Sequence, residues 1–431
     1  MKVLWICNQP LKGAIDSSGE TKTFGGGWLN EEASVLLKTG EIEIVSCFAD
    51  RGAKSLIKKN DGALTHYAVP RKRRSFFKYD SSMEKFFDRI IEMEKPDFCH
   101  IHGTENSNAL SLVRNHPELT YIVSLQGIVS YISIHERAGV PWWFRKNHTL
   151  VSIIARNGTD SLARKHEKYA SLEREILKCA DYFLGRTEWD KACSFLNNSN
   201  ARYVYNPRLL REPFYNNSWN IDSCERHTIF VSQSSTALKG VHFVIKALSI
   251  IKQYYPDARV VIAGKPLVFN SGVQNCVKNF VWGNSYQQYL VHLIKKLGLE
   301  DSVSFTGNLD AEEMAERLKK SHVFVLPSSI DNSPNSLGEA MMVGTPCVAS
   351  FVGGVPDMLD HKVDGILYPY DEYYILAYNI CRIFGDDNMA TSFSENAHNH
   401  AMITHSRETS NNVVTLYKEI YDNVRRNEQH L

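Results

Sequence analysis

The sequence predicts an α/β fold made of two consecutive parallel-sheet units. Two observations carry this. Short apolar, β-rich runs alternate with amphipathic stretches, and the whole pattern restarts halfway along the chain. In the first half the strand-like runs are Val3–Cys7, Ile42–Phe48, His66–Val69, Phe98–His102, Tyr121–Leu125, Tyr182–Gly185 and Arg202–Tyr205. Helical spacing falls between them: Met83, Phe86, Phe87, Ile90, Ile91 and Met93 recur along one face before Pro96, and Leu162–Cys179 is a second such stretch. In the second half Thr228–Val231, Arg259–Ala263, Ser302–Phe305, Val323–Leu326 and Pro346–Ser350 read as strands. Gly240–Tyr254, Tyr286–Leu297, Ala311–Lys320 and Asn335–Val343 read as helices.

These patterns divide the 431 residues into an N-terminal domain over 1–205, a linker over 206–226 and a C-terminal domain over 227–404. The linker is polar and rich in Pro and Asn. A last helical run over 405–431 is expected to pack back toward the N-terminal domain.

Bulk composition narrows the function. Lys plus Arg number 49 and Asp plus Glu 48, so no basic excess supports a general nucleic-acid binder. No run reaches the roughly 20 apolar residues of a membrane span. The start, Met1–Cys7, is a short apolar run broken by Asn8-Gln9-Pro10, unlike a secretion signal. The nine cysteines are scattered and form no CxxC pair, which fits reduced thiols and a cytoplasmic location.

The densest chemistry lies in Pro327-Ser328-Ser329-Ile330-Asp331-Asn332-Ser333-Pro334-Asn335-Ser336-Leu337-Gly338-Glu339. A strand runs into a polar loop, and a helix opens near Asn335. Asn335 is expected to cap that helix. The amides of Ser336 and Leu337 would then present the positive helix end to an anion such as a diphosphate. Glu339, one turn in, is placed to accept two ribose hydroxyls, and Asp331 stands at the strand's carboxyl end, the edge that faces ligand in open α/β sheets.

This stretch resembles the signature of glycosyltransferase family 4, in which an acidic residue precedes a glutamate by seven intervening residues. Asp331 takes the place where the family usually has Glu, and Glu339 fits the second place. Gly344-Thr345-Pro346, Gly353-Gly354-Val355-Pro356 and Asp364-Gly365 also match. The resemblance implies a GT-B fold, two Rossmann-like domains facing each other across a cleft, and a retaining, metal-independent transferase using a nucleotide-sugar, UDP-sugar favoured over GDP-sugar, with no cofactor. It implies catalytic roles for Asp331, Lys239 and Glu339. It implies donor contacts from Gly26, Gly27, Lys239, Asp331, Ser333, Asn335, Ser336, Leu337 and Glu339.

Lys239 opens a helix after the first strand of the second half and can neutralise a leaving diphosphate. The family's Arg, five or six residues earlier, is replaced by Ser234 and Gln233. Gly25-Gly26-Gly27 precedes a helix near Trp28 and suits close approach to phosphate. On the acceptor side stand His102, Gln126 and Arg186, each at a strand end. His102 also reads as a buried structural histidine. Gln126 replaces the family's usual His and cannot act as a base, though it can bond a sugar hydroxyl.

The implied acceptor is a saccharide or lipid-linked saccharide in cell-surface polysaccharide synthesis. The basic run Arg71–Lys78 and the aromatic-basic run Trp142–Lys146 suggest peripheral contact with the inner membrane face. Competing readings are a GT-B hydrolase or epimerase of nucleotide-sugars and a two-lobed sugar-binding protein. A nicotinamide oxidoreductase would need a GxGxxG spacing that Gly25–Gly27 lacks.

Overall fold

The computed structural model describes residues 1–21, 28–73, 76–146, 150–264, 285–406 and 411–429. The chain forms two compact units. Unit 1 comprises Met1–Tyr131, His166–Leu209 and His405–Leu431; unit 2 comprises Ile132–Lys165 and Leu210–Thr404.

Among the described residues, unit 1 holds eight strands: β1 (Lys2–Cys7), β2 (Glu43–Asp50), β3 (Ile57–Asp61), β4 (Leu64–Pro70), β5 (Phe98–His102), β6 (Tyr121–Ser124), β7 (Tyr182–Gly185) and β8 (Arg202–Tyr205). They form one sheet in the order β3-β4-β2-β1-β5-β6-β7-β8. Every pairing is parallel except β3 with β4. β3 was not expected, because Ile57-Lys58-Lys59-Asn60-Asp61 has one apolar residue in five; as an edge strand it need bury only one side. The helix Asn411–Gln429 lays Val413, Leu416, Tyr417 and Ile420 on one sheet face, where the Trp5 indole donates to the Tyr417 hydroxyl at 3.0 Å.

Unit 2 holds β9 (Glu225–Val231), β10 (Arg259–Ile262), β11 (Val303–Phe305), β12 (Ser321–Leu326), β13 (Cys347–Ser350) and β14 (Ile366–Tyr368). The order is β11-β10-β9-β12-β13-β14, all parallel. The chain leaves β9 toward β10 and β11, then returns to the other side of β9 as β12. The gap between the β9 and β12 carboxyl ends is therefore the topological switch point, where such sheets open a ligand crevice. Burial on both faces explains the near-continuous apolar strands: all six residues of β12 are buried.

Two expected boundaries change. Residues 132–165, read as part of an N-terminal domain over 1–205, cluster with unit 2. Ala138 and Val140 join its core, the Phe144 ring packs 5.1 Å from that of Tyr289, and a His242 ring nitrogen bonds the Ala138 carbonyl oxygen at 2.8 Å. The expected linker 206–226 is also largely structural. Leu210, Phe214, Trp219 and Cys224 are buried in the core of unit 2. The segment's polar average hides these anchors, whose burial is worth roughly 1.5–3 kcal/mol per large side chain. No helix among the described residues is long and apolar enough to cross a membrane.

Candidate active site

The site in unit 2 is assembled from the β9 and β12 ends. After β9 the chain makes a 3-10 turn, Ala237–Lys239, and starts the helix Val241–Ile251. Gly240 takes φ +66°, and a Cβ there would lie 1.8 Å from the Pro327 carbonyl oxygen. Only glycine lets this turn press against the β12 loop. The Ser329 amide donates to the Leu238 carbonyl at 2.8 Å, which closes the same seam.

Lys239 and Asp331 meet there. Lys239 Nζ donates to Asp331 Oδ2 at 2.8 Å, and Ser328 Oγ donates to the same oxygen at 3.0 Å. Asp331 is held from its other side as well. The Gly354 amide donates to its carbonyl at 3.1 Å, and Gly353, at φ +51°, approaches so closely that a Cβ would fall 2.0 Å from that oxygen. Of the glycine stretches singled out in the sequence, Gly353-Gly354 thus packs against the backbone of the acidic residue, while Gly344 lies against Ser394.

The helix Asn335–Val343 begins beside this pair. Its N-cap is Pro334, and no side chain caps it; Asn335 is the first helical residue, not the cap expected. Proline at that position leaves the chain extended and offers no side-chain acceptor. The Leu337 amide, expected to point outward, donates to the Pro334 carbonyl at 3.0 Å, and the Leu337 side chain is buried. Of the two amides expected to face an anion, those of Ser336 and Leu337, the second is therefore taken up at the helix start. Ser336 lines one small cavity with Lys239, Gln233 and Ser328. Ser333 Oγ is buried and has no hydrogen-bond partner among the described residues.

Glu339 differs from expectation too. It is 6% exposed, and Arg211 Nε and Nη2 both donate to its Oε1, at 3.0 and 2.7 Å. Burial pushes its carboxyl pKa up, against the pull of the Arg211 guanidinium. One carboxylate oxygen, Oε1, is thus engaged within the protein. Arg211 was invisible in the sequence because it sits in the stretch read as linker.

Of the remaining donor-side positions, Gly26 and Gly27 lie outside the described residues. In unit 1, the acceptor-side candidates sit at adjacent strand ends, with mixed fates. His102 is fully buried: its ring lies 4.2 Å from Trp5 and 3.8 Å from His100, and neither ring nitrogen has a partner among the described residues. It shares the sheet face of Trp5, a position that matches the buried histidine also read from the sequence. Burial, with the neighbouring His100 and Arg208, holds it neutral by pushing its pKa well down. Gln126 and Arg186 are half-buried at the β6 and β7 ends, and Arg186 Nη2 reaches the Leu125 carbonyl at 3.4 Å. Two further residues join them. Glu105 accepts from the Gly127 amide at 2.7 Å and from Asn8 Nδ2 at 2.6 Å. Arg208 stacks over the Trp28 ring with its guanidinium carbon 3.4 Å from the centroid.

Arg71, the head of the expected basic patch, is also inside. It donates to Asn108 Oδ1, Ser107 Oγ and the Lys78 carbonyl, so it ties loops together instead of facing solvent. Among the described residues, two trios bring potential metal-ligand atoms within 4.8 Å of one another: Glu32, His100 and His102, and Asp360, Asp364 and His400. Neither trio includes a residue of the Lys239–Asp331 site.

Two parallel-sheet α/β units with this topology define a GT-B protein. Residues 212–400, a little under half of the chain, match the family model described as Glycosyl transferases group 1. It is 23% identical over 292 residues to a D-inositol 3-phosphate glycosyltransferase of Corynebacterium urealyticum, spanning 64% of this chain and 66% of that protein. Against an uncharacterised glycosyltransferase of Methanocaldococcus jannaschii, 27% identical, it spans 48% of the relative's length. In fold it is similar to sucrose-phosphate synthase from Thermosynechococcus elongatus, with a TM-score of 0.71 at 16% identity over 98% of this chain and 99% of that one. It is similar as well to Anabaena HepE in complex with UDP-glucose, with a TM-score of 0.61 at 15% identity over the whole of both chains.

Proposed function

We propose that the protein is a retaining glycosyltransferase that takes a sugar from a UDP-sugar and delivers it to a saccharide or lipid-linked saccharide. The observation that carries this is the Lys239–Asp331 pair, set against an uncapped helix start at the switch point of unit 2. A cation beside a helix start that carries no side-chain cap suits a diphosphate, and a carboxylate beside the cation suits sugar hydroxyls.

In this reading the incoming diphosphate takes Lys239 from Asp331. The released carboxylate then holds sugar hydroxyls, and Glu339 Oε2 receives the ribose. The bond between the anomeric carbon and the diphosphate oxygen breaks, with Lys239 and the Asn335 and Ser336 amides stabilising the negative charge that develops. The acceptor hydroxyl attacks from the face the diphosphate leaves, and its proton passes to a donor phosphate oxygen. In unit 1, Gln126, Arg186 and Arg208 offer amide and guanidinium donors for acceptor hydroxyls or an anionic acceptor group. UDP is preferred as the carrier because a fold neighbour is solved with UDP-glucose. A role in surface polysaccharide synthesis and a cytoplasmic site of action are proposed from the family resemblance.

The test is incubation with UDP-glucose, UDP-galactose and UDP-N-acetylglucosamine, with and without saccharide acceptors, followed by product NMR. An α-linked glycoside from an α-linked donor, absent in Asp331→Asn, supports transfer with retention. Free sugar at the same rate with and without acceptors would favour a hydrolase. A β-linked product would overturn retention.

A further inference from the structure

The stretch Ile134–Lys146, together with Ile153 and Ile154, carries an unusual surface. Ile134, Trp142, Trp143, Ile153 and Ile154 are 70, 57, 50, 53 and 83% exposed. The same segment is pinned to unit 2 by other side chains. Ala138 and Val140 enter the core, Phe144 packs on Tyr289 and His292, and Ser285 Oγ donates to the Lys146 carbonyl at 2.6 Å. Inward and outward apolar residues thus occur together within the anchored stretch Ile134–Lys146. Core formation accounts for the inward set and leaves the outward set unexplained.

Charge identifies what the outward set meets. Residues 132–165 hold six Lys and Arg against two acids, in a chain whose net charge is +1. One of the acids, Glu136, is buried, and the other, Asp160, is bonded by Arg137 at 3.1 Å. Lys146 Nζ lies 4.9 Å from the Trp142 ring centroid, so cation and indole are presented together. Tryptophan with lysine and arginine suits the boundary between headgroups and acyl chains, and exposed isoleucines add apolar burial below it.

We propose that this segment of unit 2 docks the protein on an anionic lipid bilayer, with Trp142, Trp143 and Ile154 entering the interface. The proposal deepens the transferase reading by naming the surface on which a lipid-linked acceptor is met. It stands on exposure and charge alone, so its failure and that of the nucleotide site are separable.

The experiment is co-sedimentation of the full chain with vesicles of phosphatidylglycerol and phosphatidylcholine, or of phosphatidylcholine alone, with tryptophan emission recorded in parallel. Binding to the anionic vesicles is expected, with a blue shift and at least tenfold weakening in high salt. Trp142→Ser combined with Ile154→Ser should reduce binding at least tenfold while leaving UDP titration unchanged, which shows that the variant is folded. Tyr374→Ser with Tyr378→Ser, which removes exposed aromatics elsewhere, should bind like the parent. No binding to anionic vesicles, or equal binding by the parent and the Trp142/Ile154 variant, overturns the proposal. So does concentration-dependent self-association lost in that variant without vesicle binding, which would assign the surface to a second copy of the chain.

Discussion

Glu339, a candidate site residue, is also part of the architecture of unit 2. Its position one turn into the helix was legible from spacing, and its burial was not. Arg211 supplies two charge-assisted bonds to a single carboxylate oxygen, and this is what makes the buried acid tolerable. Arg211→Ala strands that carboxylate; about 1–3 kcal/mol of stability is lost, discounted from a fully buried pair because Arg211 is 37% exposed. Thermal denaturation should show a fall of several degrees, with a smaller fall when Arg211→Met is combined with Glu339→Leu. An unchanged Tm in the single variant would show that the pair holds nothing. The sequence could not announce Arg211 because its partner lies 128 positions away. Asp331 and Lys239, by contrast, were both legible, since each follows a strand whose apolar run stops abruptly.

At the scale of elements, the strand ends carry the site, and glycine sets how closely they approach. Gly240→Ala would force a side chain toward the Pro327 carbonyl at a left-handed φ, at a cost of about 1–2 kcal/mol for the backbone alone. The turn must then move, and Lys239 moves with it. Nucleotide affinity should fall by about tenfold or more, alongside a lower Tm, and titration of the purified variant checks both. Retained affinity would mean that the turn does not position Lys239. The β-α alternation was legible because buried parallel strands read as apolar runs. β3 and β14 were missed for opposite reasons: the first is an exposed, charged edge, and the second is three residues long. The Pro334 cap was missed because an Asn beside the helix start is the more frequent cap. His102 shows the limit of reading strand ends from sequence, because the face a side chain takes is decided by sheet register with Trp5 and Cys7.

At the scale of the whole molecule, the segment 132–165 is the largest departure from the sequence reading, since its anchors are few among polar and exposed apolar neighbours. Unit 1 has its own long-range tie in Glu173, which is fully buried and accepts from Thr104 Oγ1 and the Val129 and Ser130 amides. Burial pushes its pKa up to about 7 from 4.5, against those hydrogen bonds. A raised carboxyl pKa favours the fold at low pH, and that contribution fades as pH rises from about 4.5 through about 7. Glu173→Gln should therefore flatten the decline in Tm across that window relative to the parent, and parallel slopes would refute the assignment. In unit 2 the start of the helix Asn335–Val343 with Lys239 is proposed as a nucleoside-diphosphate site. Calorimetric titration of the parent, Lys239→Ala and Glu339→Ala with UDP, GDP, ADP and NAD tests it most directly. Saturable UDP binding is expected, weakened about tenfold to a hundredfold by Lys239→Ala and also weakened by Glu339→Ala. Tight NAD binding alone, or UDP binding indifferent to both substitutions, would contradict it.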